Sequence, residues 1–155
     1  MDQNRQITNS EQETARVAQE LAARLKANDV VLFYGSLGAG KTAFIRGILS
    51  HFNSKIGVTS PTYTLVNVYP TDPEIFHFDL YRLQGENDLA DVGFDEDLDS
   101  GGIVLVEWAE KCGRLKPASA QISARLRPVS VLACRSTTSA RASMGFRRPK
   151  LLGSS

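Results

Sequence analysis

The chain has 155 residues, of which 42% are hydrophobic and 23% charged, a composition typical of one globular domain. These proportions exclude a disordered or fibrous protein, and no apolar run approaches the ~18 residues of a membrane-spanning helix. The formal net charge of +1 hides an asymmetry. Residues 1–113 carry 9 basic and 17 acidic side chains, whereas residues 114–155 carry 9 basic and no acidic ones. We therefore distinguish a body, residues 1–113, from a basic segment, residues 114–155.

The N-terminal residues and the two cysteines indicate in which cellular compartment we expect the protein. The N-terminal stretch is polar and has no apolar core of the signal-peptide type. Cys112 and Cys134 do not form a CxxC motif, so we expect reduced thiols rather than a disulfide. We therefore expect a cytoplasmic protein that does not bind a membrane.

The first third of the chain predicts a helix, a buried strand and a second helix. Ser10 begins a capping box, S-E-Q-E, and apolar residues at helical spacing follow it, which predicts a helix ending near residues 26–28. Residues 29–34 form a short run rich in β-branched and aromatic side chains, which favours a buried parallel strand. Beyond a glycine-rich stretch, residues 42–52 again show helical spacing.

The middle of the chain predicts further strands and short helices. Residues 62–69 and 74–81 indicate two strands joined by a short turn. Residues 84–99 are strongly acidic with apolar side chains between the acids, which favours one or two short helices with a solvated face. Residues 103–106 form another buried-strand run, which ends at Glu107.

Alternating strands and helices define the predicted fold class. We expect an α/β, P-loop NTPase-like three-layer sandwich, with a mostly parallel sheet, an antiparallel hairpin and helices on both faces. Within the basic segment, residues 127–133 alternate as a last strand, and the remainder through residue 155 has the composition of loop or disorder. Its bias toward Ser, Arg, Ala and Pro suits a divergent tail or a coding region read out of frame.

The most specific motif is the glycine-rich stretch between the predicted strand and the second helix. Residues 35–42, G-S-L-G-A-G-K-T, match G-x-x-x-x-G-K-[ST] at every fixed position. Glycines let the backbone wrap a phosphate, while the lysine charge and the threonine hydroxyl suit phosphate oxygens and Mg²⁺. An incidental Gly-rich turn is the alternative. The predicted nucleotide contacts in this loop are Gly35, Ser36, Leu37, Gly38, Ala39, Gly40, Lys41 and Thr42.

Two acidic residues are candidates for the metal and for catalysis. Asp79 and Glu107 each end a predicted strand, and ligands in open α/β sheets lie beyond the carboxyl ends of the strands. Asp79 could instead cap the following turn, and Glu107 could be a helix cap or a surface acid. Thr62 could act as a switch residue sensing the γ-phosphate or belong to a plain turn, and His77 is interpreted as filling one face of its strand.

Four blocks in this order resemble the TsaE (YjeE) family of small bacterial P-loop ATPases. They are residues 35–42, residues 60–63 (S-P-T-Y), residues 77–83 (H-F-D-L-Y-R-L) and residues 106–111 (V-E-W-A-E-K). The resemblance covers roughly residues 8–113. It implies a cytoplasmic ATPase required for N6-threonylcarbamoyladenosine at position 37 of tRNA, working with TsaB and TsaD, where TsaD transfers the threonylcarbamoyl group. Turnover would reset the complex, so we expect slow hydrolysis that the partners stimulate.

The resemblance also assigns roles by position. Lys41 and the amides of residues 38–40 would bind the phosphates of ATP, and Thr42 and Glu107 would hold Mg²⁺. Asp79 would be the Walker B-like acid, acting at the metal and in catalysis together with Glu107.

Three further assignments follow from the same resemblance. Thr62 would be the catalytic switch threonine, and Ser10 would lie by the adenine. Arg127 begins an Arg-x-Val-x-Leu-like strand and would supply an arginine contact to the nucleotide. The basic segment otherwise departs from the family pattern, which has acids as well as bases there.

Other functions remain as alternatives. A small-molecule P-loop kinase would need an acceptor-binding insert, and no stretch is long enough for one. A GTPase normally carries an N/T-K-x-D loop, and that tetrapeptide does not occur. The basic segment could bind RNA in a salt-dependent manner, but the body is acidic and has no stacking-aromatic RNA motif, so we expect any tRNA contact to be indirect.

Overall fold

The structure is a computed structural model that describes residues 4–36, 38–53, 55–59, 61, 64–85, 87–113, 126–134 and 141–146. The helices are α1 (Glu11–Ala22), α2 (Lys41–Phe52), α3 (Asn87–Asp91) and α4 (Phe94–Asp99), with a short 3-10 helix at Ala109–Lys111. The strands are β1 (Asn4–Thr8), β2 (Val30–Tyr34), β3 (Val66–Tyr69), β4 (Ile75–Asp79), β5 (Ile103–Glu107), β6 (Leu126–Cys134) and β7 (Arg141–Phe146).

Within the described residues, the strands form one seven-stranded sheet in the order β1-β7-β6-β2-β5-β4-β3. The four central strands, β6, β2, β5 and β4, are parallel to their neighbours in this group. β3 and β4 form the antiparallel hairpin, and β7 runs antiparallel to both β6 and β1. The prediction of an α/β fold with a mostly parallel sheet is therefore confirmed.

The two faces of the sheet bury different helices because successive strand residues point to opposite sides. Val31 and Phe33 of β2 belong to the buried cluster that contains α1 and α2 side chains such as Ile48. Val30 and Leu32 belong to the cluster that contains Leu89 of α3 and Phe94 of α4. Helices thus cover both faces, as a three-layer sandwich requires.

Helices α1 and α2 pack at very close range. A Cβ atom on Gly47 of α2 would lie 2.6 Å from the Cβ of Ala18 and 3.1 Å from the Cα of Ala15. Beside this contact, the Gln19 amide donates to the Ser50 hydroxyl at 3.0 Å. The glycine is required for this approach, which fixes α2 against α1 and so fixes the loop that precedes α2.

The main differences from the sequence prediction are two element boundaries and one missed strand. Helix α1 ends at Ala22 rather than near residues 26–28, because the chain leaves it through i→i−3 hydrogen bonds and then turns at Asn28, whose φ is +71°. β3 begins at Val66 rather than at residue 62. β1 was not predicted, because its sequence is polar and only backbone pairing with β7 makes it a strand.

The basic segment contributes two strands to the sheet. β6 lies between β2 and β7, at the stretch where alternation predicts a strand over residues 127–133. The prediction of loop or disorder for the rest of the segment is wrong for β7, which pairs on both sides although its sequence lacks a strand pattern. Residues 114–125, 135–140 and 147–155 lie outside the described residues. No helix in the described part of the chain combines the length and apolar character needed to cross a bilayer.

Candidate nucleotide site

The glycine-rich loop connects the end of β2 to the start of α2. Gly38 has a φ of +76° and Gly40 a φ of +98°, conformations that side-chain-bearing residues rarely adopt. A Cβ at either position would meet nothing within 4 Å, so backbone conformation rather than crowding requires glycine. Gly40 is the N-cap of α2, and the first N–H groups of that helix therefore face the loop. Such N–H groups and the positive end of the helix dipole favour an anion.

Lys41, the first residue of α2, is only 5% exposed. Its Nζ donates to the carbonyl oxygens of Gly35, at 2.6 Å, and Ser36, at 3.0 Å. The same ammonium lies 4.0 Å from the ring centroid of Trp108, within cation–π range. The loop, the lysine and this aromatic ring therefore form one contact network.

Nearby carboxylates act on the same ammonium group. Burial lowers the pKa of Lys41 below its ordinary value, while Glu107, Glu110 and Asp79 raise it and offset part of the effect. A phosphate beside Lys41 would favour its charged form in the same way as these acids do. Phosphate binding and protonation of Lys41 would therefore support each other.

Glu107, the last residue of β5, contacts both helix α2 and strand β4. The Thr42 hydroxyl donates to Glu107 Oε1 at 3.0 Å, and His77 Nε2 lies 3.0 Å from Glu107 Oε2. Glu107 is 2% exposed and His77 is fully buried. The sequence interpretation of His77 as a strand filler missed this contact. Its position two residues before Asp79, on the same face of β4, is the signal that could have found it.

Asp79 ends β4 directly beside Glu107 in the strand register. Its Oδ1 accepts a hydrogen bond from the Tyr81 backbone N–H at 2.9 Å, so it caps the following turn. It is only 4% exposed, yet it also lines the cleft described next. The two interpretations of Asp79 from the sequence, a cap and a site acid, are therefore compatible.

A cleft of about 310 Å³ lies over the loop and the ends of β4 and β5. One wall contains Tyr81 and Trp108, whose ring centroids are 5.0 Å apart. Trp108 has a φ of +57°, which is uncommon for a bulky residue and turns the chain sharply after Glu107. The cleft is lined by Gly38, Ala39, Gly40, Lys41, Thr42, Ala43, Asp79, Tyr81, Glu107 and Trp108. It brings together most of the predicted phosphate and metal residues.

Of the remaining predicted contacts, Ser10 is described and is not among the residues that line this cleft. Ser10 Oγ accepts from the Glu13 N–H at 3.1 Å and caps α1, while Glu13 Oε2 accepts from the Asn9 N–H at 2.6 Å. Arg127 lies on β6, paired with Val31, and its backbone alone is described. Leu37 and Thr62 lie outside the described residues.

The residues in the cleft fit a magnesium ion that shares its coordination with a phosphate. Among the described residues, no group of three or more His, Cys, Asp or Glu side chains could hold a metal by itself. Mg²⁺ is commonly bound by one or two protein groups together with substrate phosphates and water. Because the Thr42 hydrogen points to Glu107, the hydroxyl lone pairs remain available to a cation.

A G-x-x-x-x-G-K-T loop between a parallel strand and a helix, with acids ending the next two strands on one side of that strand, is typical of P-loop proteins. The family described as "Threonylcarbamoyl adenosine biosynthesis protein TsaE" matches residues 8–132. The chain belongs to this TsaE family.

Relatives and a solved structure agree with this membership. A tRNA threonylcarbamoyladenosine biosynthesis protein TsaE from Rickettsia felis is 45% identical over 106 residues, which cover 67% of this chain and 61% of that relative. The TsaE protein of Bacillus subtilis is 37% identical over 110 residues, covering 70% of this chain and 68% of that relative. The crystal structure of Bacillus subtilis YdiB superposes with a TM-score of 0.72 at 26% identity, covering 96% of this chain and 86% of that one.

Proposed function

We propose that the chain is a cytoplasmic, Mg²⁺-dependent ATPase subunit for N6-threonylcarbamoyladenosine modification of tRNA at position 37, acting with TsaB and TsaD. Membership of the TsaE family supports the role in this modification. The observation that carries the ATPase proposal is the hydrogen bond from Thr42 to Glu107, 3.0 Å long, at the mouth of the phosphate-binding loop. This bond joins a P-loop hydroxyl to a buried carboxylate, the pair that a magnesium-nucleotide complex needs.

The loop and Lys41 would bind the phosphates. The first N–H groups of α2, which follow its N-cap Gly40, lie at the helix end where an anion is favoured. Lys41 would exchange its bonds to the Gly35 and Ser36 carbonyl oxygens for stronger bonds to charged phosphate oxygens. Because Nζ also touches Trp108, this exchange would change the surroundings of the indole ring.

Thr42 and Glu107 would hold the magnesium ion, with Asp79 close by as a second acid. When bound, Mg²⁺ would neutralise charge on the β- and γ-phosphates. Glu107 and Asp79 are buried at adjacent strand ends, so their carboxylate oxygens are fixed in position. These oxygens could accept hydrogen bonds from an attacking water. Thr62 would complete the site as the residue that senses the γ-phosphate.

Hydrolysis of this kind depends on positioning and on neutralising charge rather than on covalent chemistry. We expect the isolated chain to turn over slowly and the two partner proteins to accelerate it. The ATPase step would reset the complex, while a partner transfers the threonylcarbamoyl group. The tRNA would then be contacted mainly through the partners.

The test is release of inorganic phosphate from Mg-ATP by the purified chain, alone and with TsaB and TsaD. We expect a low rate alone and a clear rise only when both partners are present. Lys41→Ala should abolish the rise, whereas Lys55→Ala, at an exposed position outside the cleft, should preserve it. ATP consumption that yields a phosphorylated small molecule instead of free phosphate would favour a kinase and contradict the proposal.

A further inference from the structure

The imidazole of His77 has an unusual position for a side chain that only fills space. It is fully buried on the face of β4 that points toward α2, next to apolar Ile75. Among the described residues, Glu107 is the one hydrogen-bond partner of the ring, and Nδ1 has none. A buried nitrogen without a partner costs free energy that an apolar side chain would avoid. The presence of a histidine at this position therefore needs a reason other than packing.

The contact with Glu107 supplies that reason. An ionised carboxylate only accepts hydrogen bonds, so Nε2 carries the hydrogen and donates it to Oε2. Oε1 accepts from the Thr42 hydroxyl. The two donors lie on different elements, β4 and α2, and together they fix both oxygens of one carboxylate.

Without the imidazole, Oε2 of Glu107 would lose its hydrogen-bond donor. A carboxylate released from His77 could rotate about its side-chain bonds, and Oε1 would then leave Thr42. Donors behind a metal-binding group commonly serve to prevent such rotation.

We propose that His77 is a positioning residue that holds Oε2 of Glu107 through its Nε2–H, so that Oε1 stays on Thr42 and is available to the magnesium ion. The inference rests on the proposed function in one respect, the assignment of Glu107 and Thr42 to the metal. His77 is not among the residues that line the cleft. Its effect should therefore be seen in the metal dependence of ATP binding and not in phosphate binding as such.

Two variants of nearly equal length separate donation from packing. His77→Gln places an N–H donor the same number of bonds from Cα as Nε2, whereas His77→Met places a methyl group there. Phe78→Leu is the control for destabilisation, because Phe78 is buried on the opposite face of β4, where it packs against Phe94. ATP affinity is measured by calorimetry for each protein, once with Mg²⁺ and once with EDTA.

We expect Mg²⁺ to strengthen ATP binding about 10- to 100-fold less in His77→Met than in the unmodified chain, a range typical of losing a group that holds a metal ligand. The ATP affinity in EDTA should be unchanged. His77→Gln and Phe78→Leu should keep most of that gain. A normal Mg²⁺ gain in a folded His77→Met protein would overturn the inference. Equal losses in the Met and Gln variants would overturn it as well, because donation would then be irrelevant.

A second measurement uses neither nucleotide nor metal, and it does not depend on the folding of a variant. Nitrogen-15 NMR of the imidazole ring in the unmodified chain reports which nitrogen carries hydrogen. We expect hydrogen on Nε2, whereas hydrogen only on Nδ1 would overturn the inference. If ATP affinity of the unmodified chain does not respond to Mg²⁺, the proposed function fails, and the ring spectrum still decides whether His77 holds Glu107.

Discussion

The two faces of the sheet differ although the same strands build them. On β4 and β5, Phe76, Phe78, Val104 and Val106 point to the face of α3 and α4, where the buried cluster is apolar. The alternate positions of the same strands include His77, Asp79 and Glu107, which are buried and polar on the face of α2. Polar side chains are tolerated on that face because each has a hydrogen-bond partner. His77 bonds to Glu107, Glu107 also accepts from Thr42 in the first turn of α2, and Asp79 accepts from the Tyr81 N–H.

The comparison shows how one sheet separates folding from chemistry. The face of α3 and α4 stabilises the fold by apolar burial, and fully burying one such side chain is worth about 1.5–3 kcal/mol. The face of α1 and α2 combines similar burial near the helix centres with a polar end where the strands finish. Changes on the first face should therefore alter stability alone, and changes at the polar end should alter ligand binding or turnover.

The largest effect is expected for Lys41→Ala. Losing charge-assisted bonds of about 1.5–3 kcal/mol each to phosphate oxygens should weaken ATP binding by roughly 100-fold or more. Calorimetric titration of Mg-ATP checks this value, with Lys55→Ala as the control for removing an exposed lysine. Unchanged ATP affinity in Lys41→Ala would contradict the phosphate assignment.

Glu107→Gln should lower turnover more than it lowers binding. The amide keeps the size of the side chain but removes the charge that faces Thr42, so we expect a fall of about 100-fold in the partner-stimulated rate. Phosphate release measures the rate, and Glu20→Gln, at an exposed position on α1, is the matched control. Normal hydrolysis by Glu107→Gln would rule out its role at the metal and in catalysis.

Gly47→Ala should lower the free energy of unfolding by disturbing helix packing on the face of the sheet that carries the site. The added methyl group would lie 2.6 Å from the Ala18 Cβ, and overpacking of this kind typically costs about 1–3 kcal/mol. Gly57→Ala, where a Cβ meets nothing within 4 Å, is the control and should be close to neutral. Urea unfolding of both variants gives the difference, and equal stability of the two proteins would contradict the close packing of α1 on α2.

The smallest effect is expected for Ser10→Ala, which removes the N-cap of α1. Loss of such a cap costs about 1 kcal/mol, and Ser10→Asp should restore it because aspartate also caps helices. Thermal unfolding measures the change, and ATP titration measures whether the position also bears on the nucleotide. From the cap geometry we expect unchanged ATP affinity, whereas weaker binding by both variants would favour the adenine contact that the family resemblance implies.

Sequence analysis predicted the helices and strands whose apolar side chains follow a helical or strand spacing. β2 and α2 have apolar residues at strand and helix spacing, and the glycine motif between them is unambiguous. β1 and β7 could not be found in this way, because backbone pairing with neighbouring strands defines them and their side chains follow no period.

Part of the site was also beyond sequence reasoning. Periodicity places His77 and Asp79 on one face of β4, but it does not reveal that β5 is the neighbouring strand. Only the register of β4 and β5 sets Asp79 beside Glu107 and brings the imidazole to that carboxylate. Contacts between strands depend on strand order, which a single sequence does not contain.

The most direct test of the nucleotide site is a map of backbone amide NMR shifts on addition of Mg-ATP. We expect the largest changes at residues 38–42 and at Glu107 and Trp108, with little change in α3 and α4 on the opposite face. Changes centred on α3 and α4, with residues 38–42 unaffected, would contradict a nucleotide site at this end of the sheet.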